Sequence, residues 1–293
     1  MTKQSWKLGN GDEISDRLFA LKHLGGGIRY QAYLAWDAHL YAVVVAKLLR
    51  PDLVGSESDL NALRKEHDML ARVAHPVLPR TFGGTFGGDK PHLVLEHLEG
   101  PRLSTLVRRY GGLPAEQLLP LALQLCSALH YLHEEGIVHL DVKPSNIIMS
   151  GPPRLIDLSV ARTVEKALKL SSAVGTDDYM APEQCLPENG VTVAADVWGL
   201  GAALYKAATG ELPFSEGSDD KDPDSPEKRW PCLVEDPRPF PDRFPRAIAE
   251  PILSCLRRDP AARPTPAELH DTLEPLLKEL PKPVLGRLKP KLH

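Results

Sequence analysis

Asp141, Lys143 and Asn146 stand within "HLDVKPSN", residues 139–146, and Asp157 follows in "LIDLS", sixteen residues after Asp141. Phosphoryl transfer from ATP needs such a set. It takes a carboxylate beside the attacking hydroxyl, a cation on the transferring phosphate, and carboxylate and amide oxygens for magnesium. Asp141 fits the first requirement, Lys143 the second, and Asn146 with Asp157 the third. Upstream, "LGGGIRYQAYLA" places Leu24, Gly25 and Gly27 about a turn between two strands, where missing side chains let backbone N–H groups approach phosphate oxygens. Lys47 ends a strand in "VVAK", and Glu66 lies nineteen residues beyond it on a predicted helix. Lys47 could then reach an α- or β-phosphate while Glu66 holds its ammonium. The plainer reading is a surface ion pair, worth little by itself.

These residues need a frame. From Phe19 to Leu49, the β-rich runs "LFALKHL", "YQAYLAW" and "YAVVVAKLL" predict a three-stranded antiparallel meander. "ESDLNALRKEHDMLARVA" puts Leu60, Leu63, His67 and Leu70 on one helical face, with Pro76 and Pro79 ending the helix. Two more strand candidates, "RTFGGTF" and "HLVLEHL", follow. After "EGPRLS" the pattern turns helical, through "LSTLVRRYG", a long apolar segment "PAEQLLPLALQLCSALHYLHEEG", and segments 191–209, 245–258 and 266–280.

The composition sets outer limits. A chain of 293 residues with 42% hydrophobic content is long enough for two lobes with packed cores. A net charge of −4 argues against nucleic acid as a partner. Cys126, Cys185, Cys232 and Cys255 are too far apart for a CxxC motif and too few for a disulfide framework, which fits a reducing compartment. No segment reaches the roughly 18–20 apolar residues of a membrane span, so a soluble, cytoplasmic chain is expected. Asp220, Asp222 and Asp224 alternate like a calcium loop, but Ser225 stands where glycine is needed and Pro231 where the bidentate glutamate belongs, so 215–229 reads as a solvated charged loop. His130, His133 and His139 suggest no zinc site.

The ordered set of motifs resembles a eukaryotic-type serine/threonine protein kinase of the sort also found in bacteria. "VGTDDYMAPEQ" is similar to the end of a kinase activation segment, "ADVWGLGAALYKAATGELPF" to the helix that supports the catalytic loop through Asp196, and "CLRRDPAARPTPAEL" supplies Arg263 as partner of Glu183. The resemblance implies an α+β, two-lobed fold over residues 10–280. A five-stranded antiparallel sheet plus one helix would form the lobe 10–97, a mainly helical lobe would follow over 98–280, and 281–293 would be a basic, proline-containing tail. It also implies ATP between the lobes, with Ala32 and Val45 sandwiching the adenine, Leu95 at the rear of the pocket, and the backbone from Glu96 to Leu98 holding the base. Mg2+, with Mn2+ as the alternative, would sit on Asn146 and Asp157. Lys143 followed by Pro144 is the serine/threonine form of the loop, and Thr176 matches the threonine placed against the base. The implied partners are protein substrates and ATP, with a transient homodimer also allowed.

Four departures from the family pattern bear on activity. Leu140 replaces the arginine before the base, which weakens any switch worked by phosphate on Ser171 or Ser172. Ser159 in "DLS" replaces a glycine and its freedom to take positive φ. Tyr30 replaces the third glycine of the phosphate cover, predicting a bulkier cover and a weaker grip on ATP. Ala32 and Val45 exchange the usual valine and alanine with volume conserved. The alternative to an active kinase is a pseudokinase acting as a nucleotide-binding scaffold or allosteric regulator. A small-molecule phosphotransferase conflicts with "APEQ" and Arg263.

Overall fold

The alternation from Leu18 to Leu49 has two destinations. In the structure, a computed structural model describing residues 4–218, 222 and 224–280, these runs pair antiparallel as β2 (Leu18–Gly26), β3 (Tyr30–Asp37) and β4 (Ala42–Leu49). Together with β1 (Glu13–Ser15), β5 (Thr81–Thr85) and β6 (His92–Glu96), they form a six-stranded antiparallel sheet of order β1-β2-β3-β4-β6-β5. Five strands were expected. The sixth, β1, is a three-residue strand paired to the start of β2, too short to show an alternating pattern of its own.

One face of this sheet buries Leu18, Ala20, Tyr33, Ala35, Val44, Ala46 and Leu48 in a cluster with Ile14 and Val94. On the other face, Tyr30, Leu49 and Leu93 pack against Leu63 of α1 (Glu57–Arg72). Ser56 caps α1 by accepting the Asp59 N–H, acidic residues occupy its first turn, and Arg72 lies in its last, all matched to the helix dipole. The helix buries Leu63, Glu66 and Leu70, so a carboxylate shares the stripe that faces the sheet.

The remaining chain contributes α2 (Leu103–Tyr110), α3 (Ala115–Glu134), β7 (Ile137–Val138), β8 (Ile147–Met149), β9 (Pro153–Leu155), β10 (Arg162–Thr163), α4 (Val164–Ala167), α5 (Pro182–Cys185), α6 (Ala194–Thr209), α7 (Pro226–Arg229), α8 (Arg246–Ser254) and α9 (Pro266–Glu279). α3 exposes a narrow polar stripe that includes Gln117, Gln124, Ser127 and Glu134, and its wide apolar face is the axis of the largest core, with α2, α6, α8 and α9 packed about it. Thr265 and Glu268 close a capping box at the start of α9. β8 and β9 form a hairpin, and β7 pairs with β10, which frames the residues between them.

The charged loop 215–229 ends in α7. Asp220 of the discounted calcium-loop pattern and the tail 281–293 lie outside the described residues. Among the described residues, no helix is long and apolar enough to cross a membrane.

Candidate active site

Strand register sets the upper half of the site. Ala32 pairs with Lys47 across β3 and β4, and Val45 and Lys47 pair with Leu95 and Leu93 of β6. Period-2 alternation therefore puts Ala32, Val45, Lys47 and Leu95 on the face that also carries Tyr30 and Leu49. Lys47 is 9% exposed and Glu66, from α1, 2% exposed. Lys47 Nζ donates to Glu66 Oε1 at 2.7 Å, to Glu66 Oε2 at 2.9 Å and to Asp157 Oδ1 at 2.8 Å. Three donors thus meet three carboxylate oxygens, and this is a buried pair rather than a surface one.

The protonation of this cluster follows from burial and charge. For Lys47, burial works against the ammonium, but Asp157 and Glu66 outweigh it and raise the pKa above the ordinary lysine value. For Glu66, burial dominates and pushes the carboxyl up, with Lys47 pulling the other way. For Asp157, burial again pushes upward, yet the Lys47 ammonium and the hydrogen bond from Ser159 N–H hold it well below the usual carboxylate range. Of the two carboxylates on Lys47, Asp157 is the one most firmly ionised.

The glycine hairpin lies above. Gly25 adopts φ 121°, which only glycine takes without strain. Gly26, which the sequence reading passed over, is sterically required: a Cβ there would lie 2.6 Å from the Tyr30 carbonyl oxygen, whereas one on Gly27 would meet nothing within 4 Å. Leu24 is exposed at the same edge. Tyr30 corrects an expectation. It is buried, with its ring in the cluster of Leu49, Leu63 and Leu93, because the first residue of β3 faces α1 and not the phosphate cover. Burial pushes its phenol pKa up to about 12.

Below, Asp141 gathers three partners. Its Oδ1 accepts from the Thr176 hydroxyl at 2.7 Å, and its Oδ2 lies 2.7 Å from Lys143 Nζ and accepts from Asn146 Nδ2 at 3.0 Å. Lys143 also donates to the Thr176 hydroxyl. The Asn146 amide nitrogen makes a further bond to the Asp141 carbonyl at 2.9 Å, which leaves its oxygen as the atom offered to a cation. The loop is held from behind by Asp196, 1% exposed, which accepts from His139 N–H at 2.8 Å, Leu140 N–H at 2.7 Å and His133 Nε2 at 2.9 Å. Leu140 itself has φ 65° and is buried against Met180 and Trp198.

Ser159 is accommodated without strain. The left-handed residue of "DLS" is Asp157, with φ 75°, while Ser159 does not take positive φ, so the missing glycine is not needed in this conformation. Leu158 is buried in the main core, as its type predicts.

At the junction of the lobes, the Glu96 N–H donates to the Arg80 carbonyl, and the Leu98 N–H makes no hydrogen bond among the described residues. Three anchors carried no sequence signal. Arg154 Nη2 donates to Glu96 Oε2 at 2.6 Å, tying this connection to the β8–β9 hairpin. Gln184 Nε2 donates to the carbonyls of Leu140 and Val174. Asp177 is gripped by Arg229 at 2.9 and 3.2 Å and by the Trp230 indole at 3.2 Å. Each joins residues too distant in sequence for periodicity to relate them.

A curled sheet carrying a caged lysine, above a helical part that carries an Asp-Lys-Asn loop, defines a protein kinase domain. The profile of the protein kinase domain family matches residues 19–273, and the chain belongs to that family. Among its relatives, serine/threonine-protein kinase PknB of Mycobacterium tuberculosis is 30% identical over 275 residues, covering 89% of this chain and 43% of that protein. The protein of the same name from Mycobacterium leprae is 32% identical over 210 residues, covering 69% and 34%. Mitogen-activated protein kinase kinase kinase 3 of Arabidopsis thaliana is 28% identical over 279 residues, covering 90% and 44%. The chain therefore spans less than half the length of these relatives.

Proposed function

We propose that the chain, over about residues 10–280, is the catalytic domain of an ATP-dependent serine/threonine protein kinase that transfers the γ-phosphate to Ser and Thr hydroxyls of proteins. The observation that carries this reading is the convergence of Lys143 and Thr176 on the Asp141 carboxylate, which leaves a carboxylate and an ammonium side by side at the mouth of the loop. Asp141 orients the acceptor hydroxyl and receives its proton. Lys143 offsets charge on the phosphoryl group in transit, and Lys47, positioned by Glu66, holds the α- and β-phosphates. The backbone of the glycine hairpin from Leu24 to Gly27 covers the phosphates. Ala32 and Val45 enclose the adenine, and the backbone of Glu96 and Leu98 pairs with its edge.

The donor set fits a hard divalent cation. Asp157 is kept ionised, Asn146 has an amide oxygen to offer, and two oxygen ligands are what magnesium takes from a protein when phosphates supply the rest. Bound there, Mg2+ or Mn2+ would neutralise charge on the phosphate oxygens. The placement of Tyr30 beside Lys47 and the absence of positive φ at Ser159 in this conformation support the catalytic reading over a non-catalytic scaffold.

Radiolabelled transfer from ATP to a generic protein acceptor tests the proposal. Activity is expected in the native chain, with transfer lost in Asp141→Asn and Lys47→Met. Nucleotide binding that persists in Asp141→Asn, without transfer, assigns Asp141 to the chemical step. Equal transfer in that variant overturns the assignment.

A further inference from the structure

Tyr30 occupies a position that the phosphate-transfer reading above does not use. Its ring centroid lies 4.7 Å from Lys47 Nζ, within the range over which an ammonium is attracted to an aromatic face. The register explains the placement: Tyr30 pairs with Leu49 and Ala32 with Lys47, so the ring is the diagonal neighbour of the lysine on the same face. All three ammonium donors go to Glu66 and Asp157, and the ring holds the cation from a side where no donor is required. The same ring packs on Leu63 of α1, one turn before Glu66. Its backbone carbonyl accepts the Gly27 N–H at 2.9 Å, closing the glycine hairpin. One residue thus touches the phosphate cover, the lysine and the helix that carries the lysine's partner.

The phenol oxygen points to the ring as the working part. It is buried with no hydrogen-bond partner among the described residues, an arrangement that phenylalanine would relieve. Burial keeps the phenol neutral, so it brings no charge to compete for Lys47.

We propose that Tyr30 is a positioning residue: its aromatic face holds the Lys47 ammonium in register with Glu66 and fixes α1 against the sheet before nucleotide arrives. The inference rests on the kinase reading of this site, and its test separates the two. Tyr30→Gly, Tyr30→Leu and Tyr30→Phe are compared by melting temperature, by kcat and KM for ATP, and by amide hydrogen exchange of α1 in the ligand-free chain.

In Tyr30→Gly, kcat/KM for ATP is expected to fall on the order of tenfold, the size of a desolvated cation–aromatic contact, with faster exchange in α1. Tyr30→Leu fills the volume without an aromatic face and is expected to restore melting but not kcat/KM. Tyr30→Phe, the conservative variant, is expected to rescue both. Equal rescue of kcat/KM by Leu and Phe would show simple packing and overturn the proposal, as would native exchange and kinetics in Tyr30→Gly. A native chain that transfers no phosphate would overturn the functional reading alone. The exchange data would then still decide the role of Tyr30, since Phe must protect α1 better than Leu.

Discussion

Arg263 and Glu183 meet in a two-pronged ion pair, Nη1 to Oε1 at 2.6 Å and Nη2 to Oε2 at 2.8 Å, with the arginine side chain wholly buried. The guanidinium also stacks 5.0 Å from the Trp198 ring centroid and donates to the carbonyls of Arg257, Arg258 and Ala194. This pair joins α5, at the end of the activation segment, to the turn before α9, eighty residues later.

Removing the arginine strands a carboxylate in the interior. Arg263→Ala is expected to destabilise the fold by about 3–5 kcal/mol, the usual result of breaking a buried pair from one side. Denaturant unfolding measures this, and a loss below about 1 kcal/mol would mean that the pair is worth no more than a surface contact.

The Thr176 hydroxyl donates to Asp141 and accepts from Lys143, so it sets the distance between proposed base and cation. Thr176→Val should lower kcat by about ten- to hundredfold through misplacement of both groups, with KM for ATP little changed. Thr176→Ser should recover most of the loss. Steady-state kinetics on a peptide acceptor decide the matter, and a native kcat in the valine variant would remove Thr176 from the site.

Chelation by EDTA should abolish transfer, and excess magnesium should restore it. In Asp157→Asn, the magnesium needed for half-maximal transfer should rise by about tenfold or more, since an ionised oxygen ligand becomes a neutral one. A magnesium titration of initial rate reads the shift. An unchanged midpoint would place the metal elsewhere.

Tyr30 should leave a signature in alkaline stability. Its folded pKa is raised to about 12, above the roughly 10 of a free phenol, so the folded chain holds this proton more tightly. The associated stability is fully present below pH 10 and is lost as pH rises toward about 12. The difference in unfolding free energy between the native chain and Tyr30→Phe should therefore change across that window and stay flat from pH 6 to 9. A pH-independent difference would mean that the phenol is not buried as described.

The proposed reaction set was easier to pick out in the sequence than the geometry around it. Asp141, Lys143 and Asn146 stood out because their spacing in a short connection has no packing explanation, and Asp157 because a carboxylate ends the apolar run "LI" sixteen residues after Asp141. The meander and α1 were legible through their periodicity. Tyr30 was misplaced because residue type was read without knowing which face the backbone would assign, and it faces inward; that the left-handed position of "DLS" falls on Asp157 likewise needed the built backbone. Gly26 escaped notice because its constraint is a clash with a carbonyl across the hairpin, visible only once the turn is built. The Arg154–Glu96 and Arg229–Asp177 contacts, 58 and 52 residues apart, depend on tertiary closure alone.

The full commitment of Lys47's donors has a consequence for the sequence of events on entry of nucleotide. A phosphate oxygen can gain an N–H from Lys47 only by displacing a carboxylate oxygen, which makes docking a ligand exchange and not an addition. Asp157 is the replaceable one, being partly open to solvent where Glu66 is enclosed. Once released, it becomes an anion in want of a counterion, and a nucleotide that brings its own divalent cation supplies one. Free and metal-chelated nucleotide should thus differ in affinity even before any acceptor protein is present, with the apo cluster acting as a filter for the chelated form.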